Sequence, residues 1–113
     1  MSPSTRDWRL FADDVVEACT KIRRFVADMT FDAFVADERT YDAVIRNLEV
    51  IGEAAKNLPE DVLSRAPEVE WRKIRGMRDI LAHGYFSLDA KVVWDTATTK
   101  LDVLERAVRD LIK

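Results

Sequence analysis

Apolar residues recur every three or four positions along most of the chain, and this spacing predicts a protein built from amphipathic helices. The periodic runs extend from Trp8 to Met29, from Tyr41 to Leu58, from about Trp71 to His83, and from near Asp89 to the C-terminus. No stretch shows the alternation of apolar and polar residues that is typical of a half-buried strand. The pattern therefore predicts an all-α antiparallel bundle of four to five helices, in a single domain that spans residues 1–113.

Several residues mark where these helices begin, end and approach one another. Ser4 or Thr5 can cap the first helix, and Thr30 can cap a short helical turn that follows it. Pro59 is expected to stop the second helix. Gly52 lies inside the apolar stripe of that helix, where a glycine costs about 1 kcal/mol of helix stability. We expect it to let another helix pack closely.

The composition narrows the kinds of site that this chain can carry. Cys19 is the one cysteine and His83 the one histidine among 113 residues, so an internal disulfide and a Cys/His zinc site are excluded, and no metal or cofactor is expected. Acidic residues outnumber basic ones by 21 to 18, so any contact with a nucleic acid must come from a local basic patch. The N-terminus has no apolar signal core and no segment resembles a membrane span, which predicts a cytoplasmic protein without a membrane partner.

The third predicted helix carries such a basic patch next to the only histidine. Four cations fall within seven positions, namely Arg72, Lys73, Arg75 and Arg78. A helical projection places an apolar stripe on one side, formed by Ile74, Met77 and Leu81. The opposite side has polar side chains and one glycine, and it is formed by Arg72, Arg75, Gly76, Asp79 and His83. We expect this polar face to hold the functional site.

The spacing within this helix constrains which side chains can act together. Asp79 and His83 are four residues apart and therefore adjacent on the helix surface, so the carboxylate can orient the imidazole. Arg78 and His83 lie about 140° apart around an ideal helix and do not converge automatically. They can meet if the helix unwinds near His83, if the long arginine wraps across, or if a two-fold partner supplies a second copy.

Taken alone, these residues also fit ordinary structural roles. A lone histidine is commonly a surface or structurally satisfied residue, and clustered basic residues commonly form a solvated helix face. Cys19 lies on the apolar stripe of the first helix, where we expect it to pack in the core. Spacing by itself leaves a catalytic site and a solvated helix face as alternatives.

A longer stretch around the histidine resembles a known superfamily. It reads Trp71-Arg-Lys-Ile-Arg-Gly-Met-Arg-Asp-Ile-Leu-Ala-His-Gly-Tyr85 and is similar to the HEPN signature, in which an arginine and a polar residue precede a histidine. Here those residues are Arg78, Asp79 and His83. Tyr85 completes an Arg-x4-His-x-Tyr pattern that resembles the HepT branch, the toxin half of a HepT/MNT toxin–antitoxin pair. The segment 46–58 is similar to the second-helix segment of that family, so the resemblance covers nearly the whole chain.

The resemblance implies a metal-independent endoribonuclease, a homodimer in which both copies of the motif line one cleft. It implies that His83 handles the 2′-hydroxyl proton of the RNA substrate, that Arg78 holds the scissile phosphate, and that Asp79 orients one of them. Arg75, on the same polar face, is expected to support the site with Asp79. It also implies a partner, a small nucleotidyltransferase antitoxin that transfers AMP from ATP onto Tyr85. A dimer suits this chemistry because metal-free cleavage needs one group to accept a proton and another to donate one, whereas one chain holds one histidine.

Two other functions remain open. The same basic helix would serve a non-catalytic protein that binds a nucleotide or a substrate for a separate nucleotidyltransferase, with Arg78 and His83 as ligands. A purely structural scaffold would need neither residue.

Overall fold

A computed structural model describes residues 7–83 and 89–113 of the chain. These residues form helices joined by short turns, with no strand among them: α1 (Trp8–Val26), α2 (Phe31–Ala36), α3 (Glu38–Ala55), α4 (Glu60–Leu63), α5 (Trp71–His83), α6 (Ala90–Asp95) and α7 (Leu101–Ile112). A π-helical segment, Thr96–Lys100, joins α6 to α7 without a break. The long helices α1, α3 and α5 and the continuous run from α6 to α7 match the four predicted segments, so the all-α prediction is confirmed.

The core lies where the apolar stripes of these helices meet. α3 packs against both α1 and α5, and α1 also packs against α7. The most deeply buried large side chains come from α1, α2, α3, α4 and α7 and include Val15, Ile22, Phe34, Val44, Leu48, Ile51, Val62, Leu104 and Val108. This arrangement leaves α5 at an edge of the bundle, with α3 as its main packing partner.

The residue that caps α1 differs from the prediction, whereas the residue that caps α2 is the predicted one. Asp7 caps α1, because its carboxylate accepts the backbone N–H of Arg9 at 2.9 Å, so the cap is not Ser4 or Thr5 as predicted. The hydroxyl of Thr30 caps α2 by accepting the backbone N–H of residue 33 at 3.1 Å, as the sequence predicts.

The junctions around α2 are fixed by local backbone chemistry. α1 ends at Val26 rather than near Met29, because Ala27 turns to an extended ψ of 132° and Asp28 then adopts a positive φ of 62°, neither of which a continuing helix can contain. Asp37 caps α3, and its carboxylate accepts hydrogen bonds from the backbone N–H and the hydroxyl of Thr40 at 3.1 and 2.9 Å. These bonds stabilise the charged form and lower the pKa of Asp37.

One charged group is buried between α1 and α7. The carboxylate of Glu105 contacts the guanidinium of Arg23 and accepts a hydrogen bond from Nε of Arg109 at 2.9 Å. Nearby, burial raises the pKa of the Cys19 thiol to about 12, and the charge of Glu105 adds to the effect. The thiol therefore stays protonated at neutral pH and acts as a core residue, as predicted.

Among residues 7–83 and 89–113, no helix combines the length and the apolar character that a bilayer crossing requires.

Candidate functional site

Gly52 brings α5 into direct contact with α3. A Cβ atom at this position would stand 2.9 Å from the backbone nitrogen of Arg78 and 3.2 Å from the carbonyl oxygen of Ile74. Real Cβ atoms essentially never come within 3.0 Å of another heavy atom, so only a glycine lets the two helices meet at this distance. The prediction of close helix packing is confirmed, and the residue packed against Gly52 is Arg78 itself.

We expect Gly52→Ala to lower the free energy of unfolding by about 1–2 kcal/mol, because the methyl group forces α5 away from α3 and this overpacking outweighs the better helix propensity of alanine. Urea denaturation measures the change. Gly76→Ala is the matched control, since a Cβ at Gly76 would meet nothing within 4 Å. That control should raise the free energy of unfolding by about 1 kcal/mol. Equal stability of the two variants would contradict the close contact at Gly52.

The side chain of Arg78 contacts two carboxylates and is half exposed. Its Nε lies 2.8 Å from Oε2 of Glu53, the residue that follows Gly52 on α3. Its Nη1 lies 3.6 Å from Oδ1 of Asp79. The side chain keeps 47% of its surface accessible, so the guanidinium is positioned by two carboxylates and still open to a ligand.

A groove of about 400 Å³ lies on the α1 side of Arg78. Its lining comes from α1, α3, α5 and the turn after α3, and comprises Phe11, Asp14, Arg46, Glu49, Val50, Glu53, Ala54, Asn57 and Arg78. Two cations, Arg46 and Arg78, face three carboxylates in this groove. The acidic excess makes it a poor path for a polyanion.

A second, open groove of about 550 Å³ lies on the other side of α5. It is lined by Lys56, Glu60, Arg72, Arg75, Gly76 and Asp79. Here three cations face two carboxylates. Nη1 of Arg75 lies 2.9 Å from Oε1 of Glu60, and Nζ of Lys56 lies 3.4 Å from Oδ1 of Asp79.

The structure brings some of the predicted site residues together and separates others. Arg78 and Asp79 are in contact at 3.6 Å. Asp79 and Arg75 share the second groove, which Arg78 does not line. α5 extends to His83 as predicted, but the side chain of His83 and all of Tyr85 lie outside the described residues. Arg78 therefore lines the first groove and contacts a residue of the second, Asp79.

Three charged groups that surround the site have no local signal in the sequence. Glu53, Lys56 and Glu60 pair with Arg78, Asp79 and Arg75 across helices, so no spacing within one helix links them. The segment 46–58 contains two of them, and the helix contact expected at Gly52 was the one clue that this face of α3 would meet another helix.

Within the described part of the chain, no group of three or more His, Cys, Asp and Glu side chains is placed to hold a metal ion.

Comparison with known proteins identifies the family. A sequence model of the family described as "Ribonuclease HepT-like" matches residues 15–111. The chain is 43% identical over 108 residues to "Putative RNase MJ0127" of Methanocaldococcus jannaschii, which covers 96% of this chain and 89% of the relative. It is 39% identical over 108 residues to "Probable ribonuclease HepT" of Thermococcus cleftensis, which covers 96% of this chain and 98% of the relative. No solved structure matches the chain. The chain therefore belongs to the HepT-like ribonucleases, a family of HEPN proteins.

Proposed function

We propose that this protein is the toxin of a toxin–antitoxin pair and that it cleaves RNA without a metal ion, using Arg78 and His83 as catalytic residues. The observation that carries the proposal is the half-exposed guanidinium of Arg78, held by Glu53 and Asp79 at the contact between α3 and α5. A guanidinium fixed in this way offers a preorganised hydrogen-bonding surface to a phosphate. Membership of a ribonuclease family supports RNA as the substrate.

The proposed reaction is an internal displacement at phosphorus. The 2′-oxygen of the RNA attacks the adjacent phosphorus while the bond to the 5′-oxygen breaks, which gives a 2′,3′-cyclic phosphate and a 5′-hydroxyl. His83 accepts the 2′-hydroxyl proton, and Arg78 stabilises the charge that develops on the phosphate oxygens. A protonated imidazole returns a proton to the departing 5′-oxygen. Asp79 and Arg75 support these groups from the second groove.

Two copies of the chain supply the full set of groups in this proposal. One chain holds a single histidine, whereas a homodimer places two histidines and two Arg78 guanidinium groups around one cleft. The position of α5 supports such a pairing, because α5 lies at the edge of the bundle and carries Ile80, an apolar side chain that is 61% exposed, beside Arg78 and Asp79. A two-fold contact through α5 would cover this side chain and bring the two copies of the motif together.

Inhibition by a nucleotidyltransferase antitoxin completes the proposal. The hydroxyl of Tyr85 attacks the α-phosphate of ATP, and pyrophosphate leaves as AMP becomes attached to the tyrosine. The added phosphate oxygens lie two residues from His83 in sequence and occupy the cation-lined cleft that the RNA backbone needs. The protein acts in the cytoplasm, where its RNA substrate and this partner are present.

The direct test is cleavage of a labelled single-stranded RNA by the purified protein in excess EDTA. We expect undiminished cleavage and products that end in a 2′,3′-cyclic phosphate. Loss of cleavage in EDTA, with recovery on adding a divalent cation, would overturn the metal-free mechanism. Binding of RNA without any cleavage would favour the non-catalytic alternative, a partner that holds a nucleotide or substrate for a separate enzyme.

The toxin role is tested in cells. Expression of this chain alone should arrest growth, and co-expression with a nucleotidyltransferase encoded beside it should restore growth. Mass spectrometry of the co-expressed protein should show one AMP on Tyr85. Restored growth with an unmodified tyrosine would point to inhibition by steric masking and would overturn the AMP step.

A further inference from the structure

Gly76 lies in the middle of α5, and no packing contact in the described structure explains why this position is a glycine. A glycine at an interior helix position is less favourable than alanine. At Gly52 the neighbouring helix explains the glycine, but a Cβ at Gly76 would meet no described atom within 4 Å. The position faces the open second groove. A glycine on such a surface permits close approach of a backbone that does not belong to this helix bundle.

The positively charged side chains around Gly76 indicate that the molecule that contacts this face of α5 is negatively charged. Arg72, Gly76 and Asp79 are spaced by four and three residues, so they form one stripe along about 10 Å of α5. Lys56 and Arg75 line the same groove. The groove has a cationic excess, whereas the groove on the α1 side of Arg78 has an acidic excess. Of these two grooves, the second has the excess of positive charge that attracts a phosphodiester chain, and it is connected to Arg78 through the contact of Arg78 with Asp79.

We infer that the RNA strand beside the scissile phosphate runs along the second groove toward the start of α5, where Arg72 binds a flanking phosphate and Gly76 lets the sugar–phosphate backbone touch the helix. The inference rests on the proposed ribonuclease function and names a substrate subsite for it. The stripe is long enough for about two to three nucleotides of a stacked single strand. Lys56 and Arg75 strengthen the subsite when the phosphate replaces their carboxylate partners, Asp79 and Glu60.

The first test measures RNA affinity in a His83→Ala background, so that binding is observed without cleavage. Fluorescence anisotropy with a labelled single-stranded RNA should show that Arg72→Gln weakens binding about tenfold and reduces the slope of log K against log salt by about 0.7. Two controls should bind within about twofold of the parent. They are Lys73→Gln, one position further along the helix and 81% exposed, and Arg46→Gln in the acidic groove. An equal loss in Arg46→Gln, or none in Arg72→Gln, would overturn the inferred path.

The second test uses Gly76→Ala, a change that favours the helix. We expect it to raise Tm and yet to weaken RNA binding about tenfold, because its methyl group stands where the RNA backbone comes closest. If Gly76 has only a structural role, Gly76→Ala should raise Tm and leave RNA binding unchanged, and this result would overturn the inference. If light scattering showed that Gly76→Ala weakens self-association, a second copy of the chain would be what approaches Gly76, and this would also overturn it.

Measurements on the unmodified protein distinguish a failure of the proposed subsite from a failure of the proposed ribonuclease function. If the parent neither cleaves nor binds RNA, the proposed function fails and the subsite fails with it. If the parent cleaves RNA while Arg72→Gln and Gly76→Ala bind as tightly as their background, the subsite alone is wrong.

Discussion

His83→Ala is expected to lower the rate of RNA cleavage by about a hundredfold to ten-thousandfold, the range typical of a lost general acid or base. The methyl side chain of alanine cannot accept the 2′-hydroxyl proton or return one to the 5′-oxygen, and the chain contains no second histidine that could replace it. Single-turnover cleavage of a labelled RNA measures the rate, and growth arrest should be lost in parallel.

Structural controls accompany this variant. Alanine is a good helix former, so the helix content by circular dichroism and the mass by light scattering should match those of the parent. RNA affinity should change far less than the cleavage rate. A variant that cleaves RNA and arrests growth as the parent does would show that His83 has no catalytic role.

Arg78→Lys is expected to reduce the cleavage rate by about a hundredfold to a thousandfold, although the charge is kept. The guanidinium of Arg78 contacts Glu53 and Asp79 through different nitrogen atoms, a fixed geometry that leaves part of the fork for the phosphate. A lysine is a point charge on a flexible stem, so it can pair with Glu53 or with the phosphate but cannot hold both in one orientation.

The matched control for this variant is Arg46→Lys, the same change at the other arginine of the α1-side groove. We expect it to cleave RNA at the rate of the parent. Near-parental cleavage by Arg78→Lys would mean that positive charge at residue 78 is sufficient, and the bidentate role of Arg78 would be wrong.

Apolar periodicity was enough to predict the helices, because burial of one helix face dominates the packing of a small all-α domain. The buried positions of the continuous run from α6 to α7, including Val93, Leu104 and Val108, follow the three- and four-residue spacing even across the π-helical segment. Helix ends depend on single residues. α1 ends where Ala27 becomes extended and Asp28 left-handed, a change of backbone conformation that neither hydropathy nor spacing reveals.

The candidate site was predictable where its geometry belongs to one helix. The projection of α5 predicts the stripe of Arg72, Gly76 and Asp79, and the structure has these residues along one groove. The contact of Glu53 with Arg78 joins two helices, so it depends on how α3 and α5 pack and not on local spacing. Gly52 predicts that another helix packs closely against α3, but the sequence does not indicate that the residue in contact is Arg78.

The most direct measurement of the central claim uses mixed dimers. Parent chains and chains carrying His83→Ala, with different tags, are co-expressed and purified through both tags. In a single cleft that needs both imidazoles, the mixed dimer lacks one of the two proton carriers, so we predict cleavage at least about tenfold slower than by the parent dimer. A mixed dimer that cleaves at about half the parental rate would contradict a cleft shared between two chains, and so would two tags that never purify together.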